Sequence, residues 1–156
     1  MRNAALFTAA AFLLTAPLPP GVAKEPAPTG SAAEPGDAEV AARSEALEVA
    51  GAFSNDGFKI RDGHWVDGIA VNKPKIIQVN LFAGNQYWFI AAASEKAKKI
   101  AVSIFNEKGE PLLSEPYSNA RQSAAGFAPE TSGPYYVQVE ETEGEPATFC
   151  FLYSYK

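Results

Sequence analysis

Hydrophobic and polar residues alternate with a period of two along the C-terminal part of the chain. Ile77, Val79 and Leu81 fall on one side of such a run, and polar residues separate them. Because successive side chains of a strand point to opposite faces, each run of this kind predicts a strand with one buried face. The same pattern recurs in Tyr87/Phe89/Ala91, Ile100/Val102/Ile104, Tyr135/Val137/Val139 and Phe149/Phe151/Tyr153/Tyr155.

Turn-forming residues separate these runs. Residues 83–85 (Ala-Gly-Asn), 107–111 (Glu-Lys-Gly-Glu-Pro) and 132–134 (Ser-Gly-Pro) supply the positive or fixed φ angles that tight reversals require. Such short connections join antiparallel strands, because a parallel crossover needs about a dozen residues or more. We therefore predict an all-β domain over residues 53–156, an antiparallel, jelly-roll-like β-sandwich of about 7–9 strands.

The N-terminal residues have the composition of a targeting signal followed by a linker. Arg2 precedes an apolar run over residues 4–16, and the small residues Gly21 and Ala23 predict cleavage after Ala23. The run is shorter than the roughly 20 residues of a membrane-spanning helix. We expect a signal peptide over residues 1–23, a Pro/Ala-rich linker over residues 24–36, and a secreted or periplasmic product with no membrane anchor after signal cleavage.

Residues 37–52 predict a short α-helix between the linker and the β-domain. Asp37 is placed to cap a helix over residues 38–50, and Gly51 is placed to end it. Val40 and Leu47 are seven residues apart and predict a thin apolar stripe on one face. A helix with so little apolar surface is marginal alone, so we expect it to dock on the β-domain or to fray.

The charge and cysteine content exclude two kinds of interaction. The chain has 13 basic and 18 acidic residues, and its net charge of −5 becomes −6 when Arg2 leaves with the signal. Nucleic-acid binding requires clustered Lys and Arg, and the densest basic stretch (Lys96, Lys98 and Lys99) lies in a polar connection. We therefore expect no nucleic-acid partner. Since Cys150 is the single cysteine, an intramolecular disulfide is also excluded.

Few residues offer catalytic chemistry. One His and one Cys are too few ligands for a structural zinc site. His64 lies in a turn-like stretch with no nucleophile motif, and Cys150 lies in an aromatic strand where a thiol acts as a small hydrophobe. We therefore expect no enzyme. A hydrolase using loop carboxylates is an alternative, but a solvated hairpin tip better explains the acidic cluster Glu140, Glu141, Glu143 and Glu145.

Three aspartates in glycine-containing loops are the candidates for a metal site. Asp56, Asp62 and Asp67 could supply oxygen ligands to calcium, although their spacing is not that of an EF-hand loop. Asp is also common in turns because its side chain hydrogen-bonds the nearby backbone. We expect no cofactor, and a structural calcium ion at these residues is the alternative.

Three segments share Gly turns beside Tyr- or Leu-containing stretches. They are residues 81–89 (Leu-Phe-Ala-Gly-Asn-Gln-Tyr-Trp-Phe), 106–112 (Asn-Glu-Lys-Gly-Glu-Pro-Leu) and 128–139 (ending Ser-Gly-Pro-Tyr-Tyr-Val-Gln-Val). They resemble the bacterial pre-peptidase C-terminal (PPC) domain family, and the likeness covers roughly residues 75–155. The resemblance implies a jelly-roll-like sandwich that is a non-catalytic appendage of secreted enzymes. Asn106 stands where the family more often has Asp, so an acidic ligand at that turn is not implied.

Aromatic residues at outward positions are the best candidates for a binding site. If Tyr87 and Phe89 face inward, Trp88 faces outward, and the same alternation turns Tyr136 outward. Either the helix or segment 65–69 covers Trp88, or an exposed patch of Trp88, Tyr136 and Trp65 binds a partner. We favour cover within the chain, because soluble monomers rarely expose sizeable apolar patches.

The sequence as a whole predicts a non-catalytic exported module that binds an unidentified protein or has a structural, accessory role. The alternative is a carbohydrate-binding module that uses Trp88, Tyr136 and Trp65 as stacking platforms. The two hypotheses differ in whether these aromatic residues lie along one groove.

Overall fold

The computed structural model describes residues 36–156, which form a β-sandwich with one α-helix before the strands. Every pairing between the nine strands is antiparallel, which confirms the expected fold class. Residues 1–35, with the expected signal peptide and most of the linker, lie outside the described residues. No helix within residues 36–156 is long and apolar enough to cross a membrane.

The strands divide into two sheets. One sheet has the order β1-β9-β4-β7-β6, with β2 pairing beside β1 on the same edge of β9, and the other has the order β3-β8-β5. The elements are α1 (Asp37–Ser54), β1 (Lys59–Ile60), β2 (Trp65–Ile69), β3 (Lys75–Leu81), β4 (Tyr87–Ala93), β5 (Ala97–Phe105), β6 (Glu115–Asn119), β7 (Gln122–Phe127), β8 (Gly133–Gly144) and β9 (Ala147–Tyr155).

The two sheets face each other across a core of aromatic and branched side chains. Phe89 and Phe151 from the six-stranded sheet are fully buried, as are Val137 and Ile104 from the three-stranded sheet. These residues occupy the inward positions that the alternation predicts, so that prediction is confirmed. Burying each such side chain contributes roughly 1.5–3 kcal/mol, and the described fold is stabilised without a disulfide.

Helix α1 packs on the outer face of the six-stranded sheet. Its buried side chains are mostly alanine, at Ala42, Ala46 and Ala50. Small side chains on both surfaces let the helix backbone lie close to the sheet. The residues of the sheet in this second core are Ile90, Ala92, Ala124, Cys150 and Leu152.

The face on which the helix docks differs from the predicted one. Val40 and Leu47 are 53% and 42% exposed, so the expected stripe is not the docking surface. The reason is steric, since the alanine face fits against Ala92 and Ala124 more closely than a face with larger side chains would.

Both ends of the helix also differ from the prediction. Gly36, rather than Asp37, is the N-cap, and its carbonyl accepts a hydrogen bond from the N–H of Val40 at 3.0 Å. The helix does not end at Gly51 but continues to Ser54. The additional turn places Phe53 against the sheet, and this contact offsets the weak helix propensity of glycine.

Candidate functional site

The three aromatic residues predicted to form a binding site lie in different parts of the sandwich. Trp88 is on the outer face of the six-stranded sheet, Trp65 is on strand β2 at an edge, and Tyr136 is on β8 in the three-stranded sheet. They do not line one groove. Each is therefore considered by itself.

Trp88 is covered by helix α1. Its ring stacks on Phe53 with ring centroids 4.1 Å apart and an interplanar angle of 9°. Gly126 on the neighbouring strand β7 leaves room for this ring, because a Cβ there would lie 3.0 Å from two of its atoms. The expectation that Trp88 is covered within the chain is thus confirmed, and of the two expected covers it is the helix that packs on Trp88.

Trp65 lies at the side opening of the sandwich. Its ring is 5.5 Å from that of Phe151 and is 43% exposed. Beside it, Lys75 of β3 donates to the Asp67 carboxylate of β2 at 2.6 Å, which joins the edges of the two sheets. Trp65 therefore packs against the rim of the core.

Tyr136 lies on the outer face of the three-stranded sheet. In the strand register Tyr136 has Gln78 on one side and Phe105 on the other, and Gln138 lies between Ile76 and Ser103. Helix α1 packs on the other sheet, and Ile76 remains 64% exposed. We call this surface the open face, defined by the outward residues Ile76, Gln78, Asn80, Ala101, Ser103, Phe105, Pro134, Tyr136, Gln138 and Glu140.

A shallow depression of about 370 Å³ lies at one end of the open face. Its floor includes Tyr136, Phe105 and Ile76, and the turn after β5 forms a wall with Glu107 and Gly109. This volume is within the range of roughly 300–1,000 Å³ typical of small-molecule sites. The open face therefore combines aromatic surface, side-chain amides and a shaped cavity.

Asn106 organises the wall of this depression. Its side-chain oxygen accepts hydrogen bonds from the N–H groups of Lys108 and Glu110 at 2.9 and 3.0 Å, and its amide donates to the Glu110 carboxylate at 2.6 Å. An aspartate could accept from the backbone but could not donate to Glu110. The residue thus has a structural role at this turn.

The aspartates predicted as calcium ligands are not brought together. Among residues 36–156 no group of three or more His, Cys, Asp or Glu side chains is close enough to hold a metal ion. Asp67 is paired with Lys75, and this hydrogen bond lowers the pKa of the Asp67 carboxyl. The geometry of the described residues gives the calcium hypothesis for Asp56, Asp62 and Asp67 no support.

The prediction that the acidic cluster at residues 140–145 is a solvated hairpin tip is wrong for part of the cluster. Strand β8 continues to Gly144, so Glu140 and Glu141 point to opposite sides of the sheet. Glu141 points inward with 0% exposure, and neither carboxylate oxygen has a hydrogen-bond partner in the described structure. Loss of solvent raises the pKa of Glu141.

Cys150 lies under helix α1 and is fully buried. Desolvation raises the pKa of its thiol to about 11. On the helix, the positive charge of Arg43 lowers this pKa and the negative charge of Glu39 raises it, and both effects are smaller than that of desolvation. A thiol that stays protonated is a poor nucleophile. Its environment is that of a packing residue.

Two other depressions are larger than the one on the open face. One of about 740 Å³ lies beside the start of α1, and charges of both signs line it, Lys73 and Glu95 among them. The other, of about 820 Å³, lies beside Leu113, where the Tyr135 hydroxyl already donates to the Thr131 carbonyl at 2.8 Å. Neither is lined by Gln78 or Gln138. A further depression of about 360 Å³ lies between Trp65 and the open-face residues Ile76 and Gln78, at the edge of the open face. We therefore take the open face as the candidate site.

Sequence reasoning found Tyr136 but missed Phe105 and Ile76. Both follow the same outward alternation in their strands, Phe105 after Ile104 and Ile76 before Ile77. That both line one depression with Tyr136 depends on strand register, which the sequence does not specify for strands that are distant along the chain. In comparisons with known proteins, the sequence matches no protein-family model and has no significant match among curated proteins.

Proposed function

We propose that this protein is an exported, non-catalytic module that binds a component of the bacterial cell envelope or its surroundings through the open face. The observation that carries the proposal is the difference between the two outer faces. Helix α1 covers Trp88 on one, whereas on the other no element within residues 36–156 covers Tyr136, Phe105 and Ile76. Uncovered apolar patches rimmed by polar residues mark interaction sites.

Export is the part of the proposal that rests on the sequence alone. Residues 1–23 have the pattern of a signal peptide, and residues 24–36 that of a linker that would hold a module away from its neighbours. The resemblance to PPC domains, which are non-catalytic appendages, supports the same role. Membership of that family remains a prediction.

The geometry does not support either alternative in the form that the sequence predicted, with the residues named there. A platform made of Trp88, Tyr136 and Trp65 is incompatible with the position of Trp88, which lies under helix α1 on the other sheet from Tyr136. For a hydrolase, two carboxylates would have to meet across a cleft, but Glu141 is inside the core and Glu140 is outside it.

Retention on cell envelopes tests the proposal. Purified protein is sedimented with the envelope fraction of the producing bacterium, and wild type is compared with Tyr136→Ala. The matched control is Tyr117→Ala, which removes a partly exposed tyrosine from β6 in the other sheet. We expect wild type and control to be retained and Tyr136→Ala to be lost. Equal retention of all three, or of none, would contradict the proposal.

A further inference from the structure

We propose that the ligand of the open face is an uncharged glycan chain. The inference rests on the proposed function and names the class of ligand for the same site. It follows from three properties of the open face: the placement of its rings, the kind of hydrogen-bonding groups beside them, and its lack of charge.

The two aromatic residues lie on adjacent strands and line the same depression. Phe105 and Tyr136 are directly paired in the register of β5 and β8, so their Cβ atoms are about 4.5–5.5 Å apart. Both are partly exposed. The face of an aromatic ring carries negative potential, which attracts the weakly positive C–H groups on the flat side of a sugar ring. Two aromatic residues on one face offer two surfaces on which sugars can stack.

Amide and hydroxyl groups flank this platform. Gln78 is paired with Tyr136 on the side opposite Phe105, and Gln138 and Ser103 form the next row across the sheet. An amide has both donors and acceptors, and so does a hydroxyl, which matches the mixed donor and acceptor character of sugar hydroxyls. The Gln138 amide makes a long contact of 3.4 Å with Glu140, which a ligand could replace.

The open face is almost without charge in an acidic protein. Of its ten defining residues only Glu140 is acidic and none is basic, and Glu107 is the acidic residue in the wall of the depression, while the whole chain has a net charge of −5. An anionic polymer would find no cation among these ten residues. A protein partner would need a larger continuous apolar centre, whereas here amides interrupt the aromatic surface. An uncharged glycan fits both the charge and the alternation of apolar and polar groups.

Affinity electrophoresis tests the inference. Wild type is run through native gels that contain hydroxyethylcellulose, xylan, galactomannan or, as an anionic comparison, alginate. We expect at least one of the three uncharged polysaccharides to retard it and alginate to leave it unretarded. Tyr136→Ala should weaken the retardation about tenfold or more, as expected for a central aromatic contact. Tyr117→Ala should leave it unchanged.

A second variant separates loss of binding from loss of folding. Gln78 is exposed, so Gln78→Ala should fold normally. It should weaken retardation by about threefold to tenfold, because it removes one polar contact. Retardation that is equal in wild type, Tyr136→Ala and Gln78→Ala would overturn the inference.

The outcomes also separate this inference from the proposed function. If no uncharged polysaccharide retards wild type while envelopes retain it in a Tyr136-dependent way, the ligand is of another class and the inference fails alone. Protease treatment of the envelopes then distinguishes a protein ligand, because retention would be lost. If envelopes do not retain the protein either, both proposals fail.

Discussion

Phe53 and Trp88 stack face to face, with ring centroids 4.1 Å apart and planes within 9° of parallel. Phe53 is in the last turn of α1, and Trp88 is an outward residue of β4 in the middle of the sheet. The pair joins the end of the helix to the sheet. The outer face of the six-stranded sheet is therefore packed against the helix. In the described part of the chain, the open face on the other sheet has no such cover.

Removal of the Phe53 ring should expose Trp88. In a Trp65→Phe background, in which Trp88 is the remaining tryptophan, Phe53→Ala should shift the fluorescence to longer wavelength and increase quenching by iodide. It should also lower the free energy of unfolding by about 1–3 kcal/mol, below the value for a fully buried ring because Phe53 is only half-buried.

Leu47→Ala is the matched control for this change. Leu47 is on the same helix but 42% exposed, so its truncation should alter stability by about 0.5 kcal/mol or less and leave the emission unchanged. Trp88 emission that is already quenchable without the Phe53 substitution would contradict the account of helix packing.

The reactivity of Cys150 should report detachment of α1. The thiol is fully buried and its pKa is raised to about 11, so labelling by a disulfide reagent at about pH 8 should be slow in the native protein. Ala46→Asp places a carboxylate in the helix–sheet contact and should accelerate labelling strongly, because burying an unpaired charge is costly. Leu47→Asp, one residue away on the exposed side, should not. Fast labelling of wild type, or similar rates for both variants, would show that the helix does not seal this face.

Glu141 should make the protein less stable as the pH rises. Its pKa is raised above the usual 4.5 by burial, so the unfolded chain releases this proton at a lower pH than the folded chain does. The contribution of Glu141 to the free energy of unfolding is fully present when the pH is below the pKa of this residue in the unfolded chain. It is lost as pH rises through the pKa in the folded protein, at up to about 1.4 kcal/mol per pH unit. Urea unfolding across this range should show the decline in wild type and lose it in Glu141→Gln.

The exposed neighbour on the same strand provides the control for Glu141. Glu143→Gln should retain the wild-type decline in stability, because Glu143 is solvated. A Glu141→Gln profile that is parallel to wild type would mean that Glu141 is solvated or partnered in solution.

An opposite pH dependence is expected for Glu45. Arg121 donates to its carboxylate at 2.7 Å and Gln122 donates to the other oxygen, and the hydrogen bond from Arg121 is the main cause of its lowered pKa. The stabilisation that Glu45 provides is present above its pKa of 4.5 in the unfolded chain, and it is lost as pH falls through its pKa in the folded protein. Glu45→Gln should therefore cost about 0.5–1 kcal/mol near neutral pH and nothing in acid. Glu48→Gln, at an exposed position of the same helix, should show no such difference.

The sequence predicted the strands whose alternation is strong and missed those whose burial has another cause. Phe89, Val137 and Phe151 follow a period of two because one face of their strands is in the core. Strand β7 (Gln122–Phe127) has no such pattern, since Ala125 faces the core while Ala124 faces the helix and both are buried. A strand that is covered on both sides has no polar face to give the alternation.

The errors at the helix and at the candidate site have a common physical origin. Val40 and Leu47 have the seven-residue spacing of an apolar stripe, but the residues that dock on the sheet are mainly alanines, together with Val49 and Phe53. Tyr136 was identifiable as outward, but its neighbours Gln78 and Phe105 come from strands far apart in the sequence. The docking face of the helix and the neighbours of Tyr136 both depend on which surfaces meet in the folded protein. The local pattern of hydrophobic and polar residues does not encode those contacts.

Hydroxyl-radical footprinting with and without the envelope fraction tests the central claim most directly, because it reports which face of the sandwich a ligand covers. The account predicts that envelopes protect Tyr136, Phe105 and Ile76 from oxidation, while Val40 and Leu47 on the outer side of α1 remain as reactive as in the free protein. Protection at Val40 and Leu47 with none at Tyr136 would place the contact on the helix and contradict the assignment of the open face.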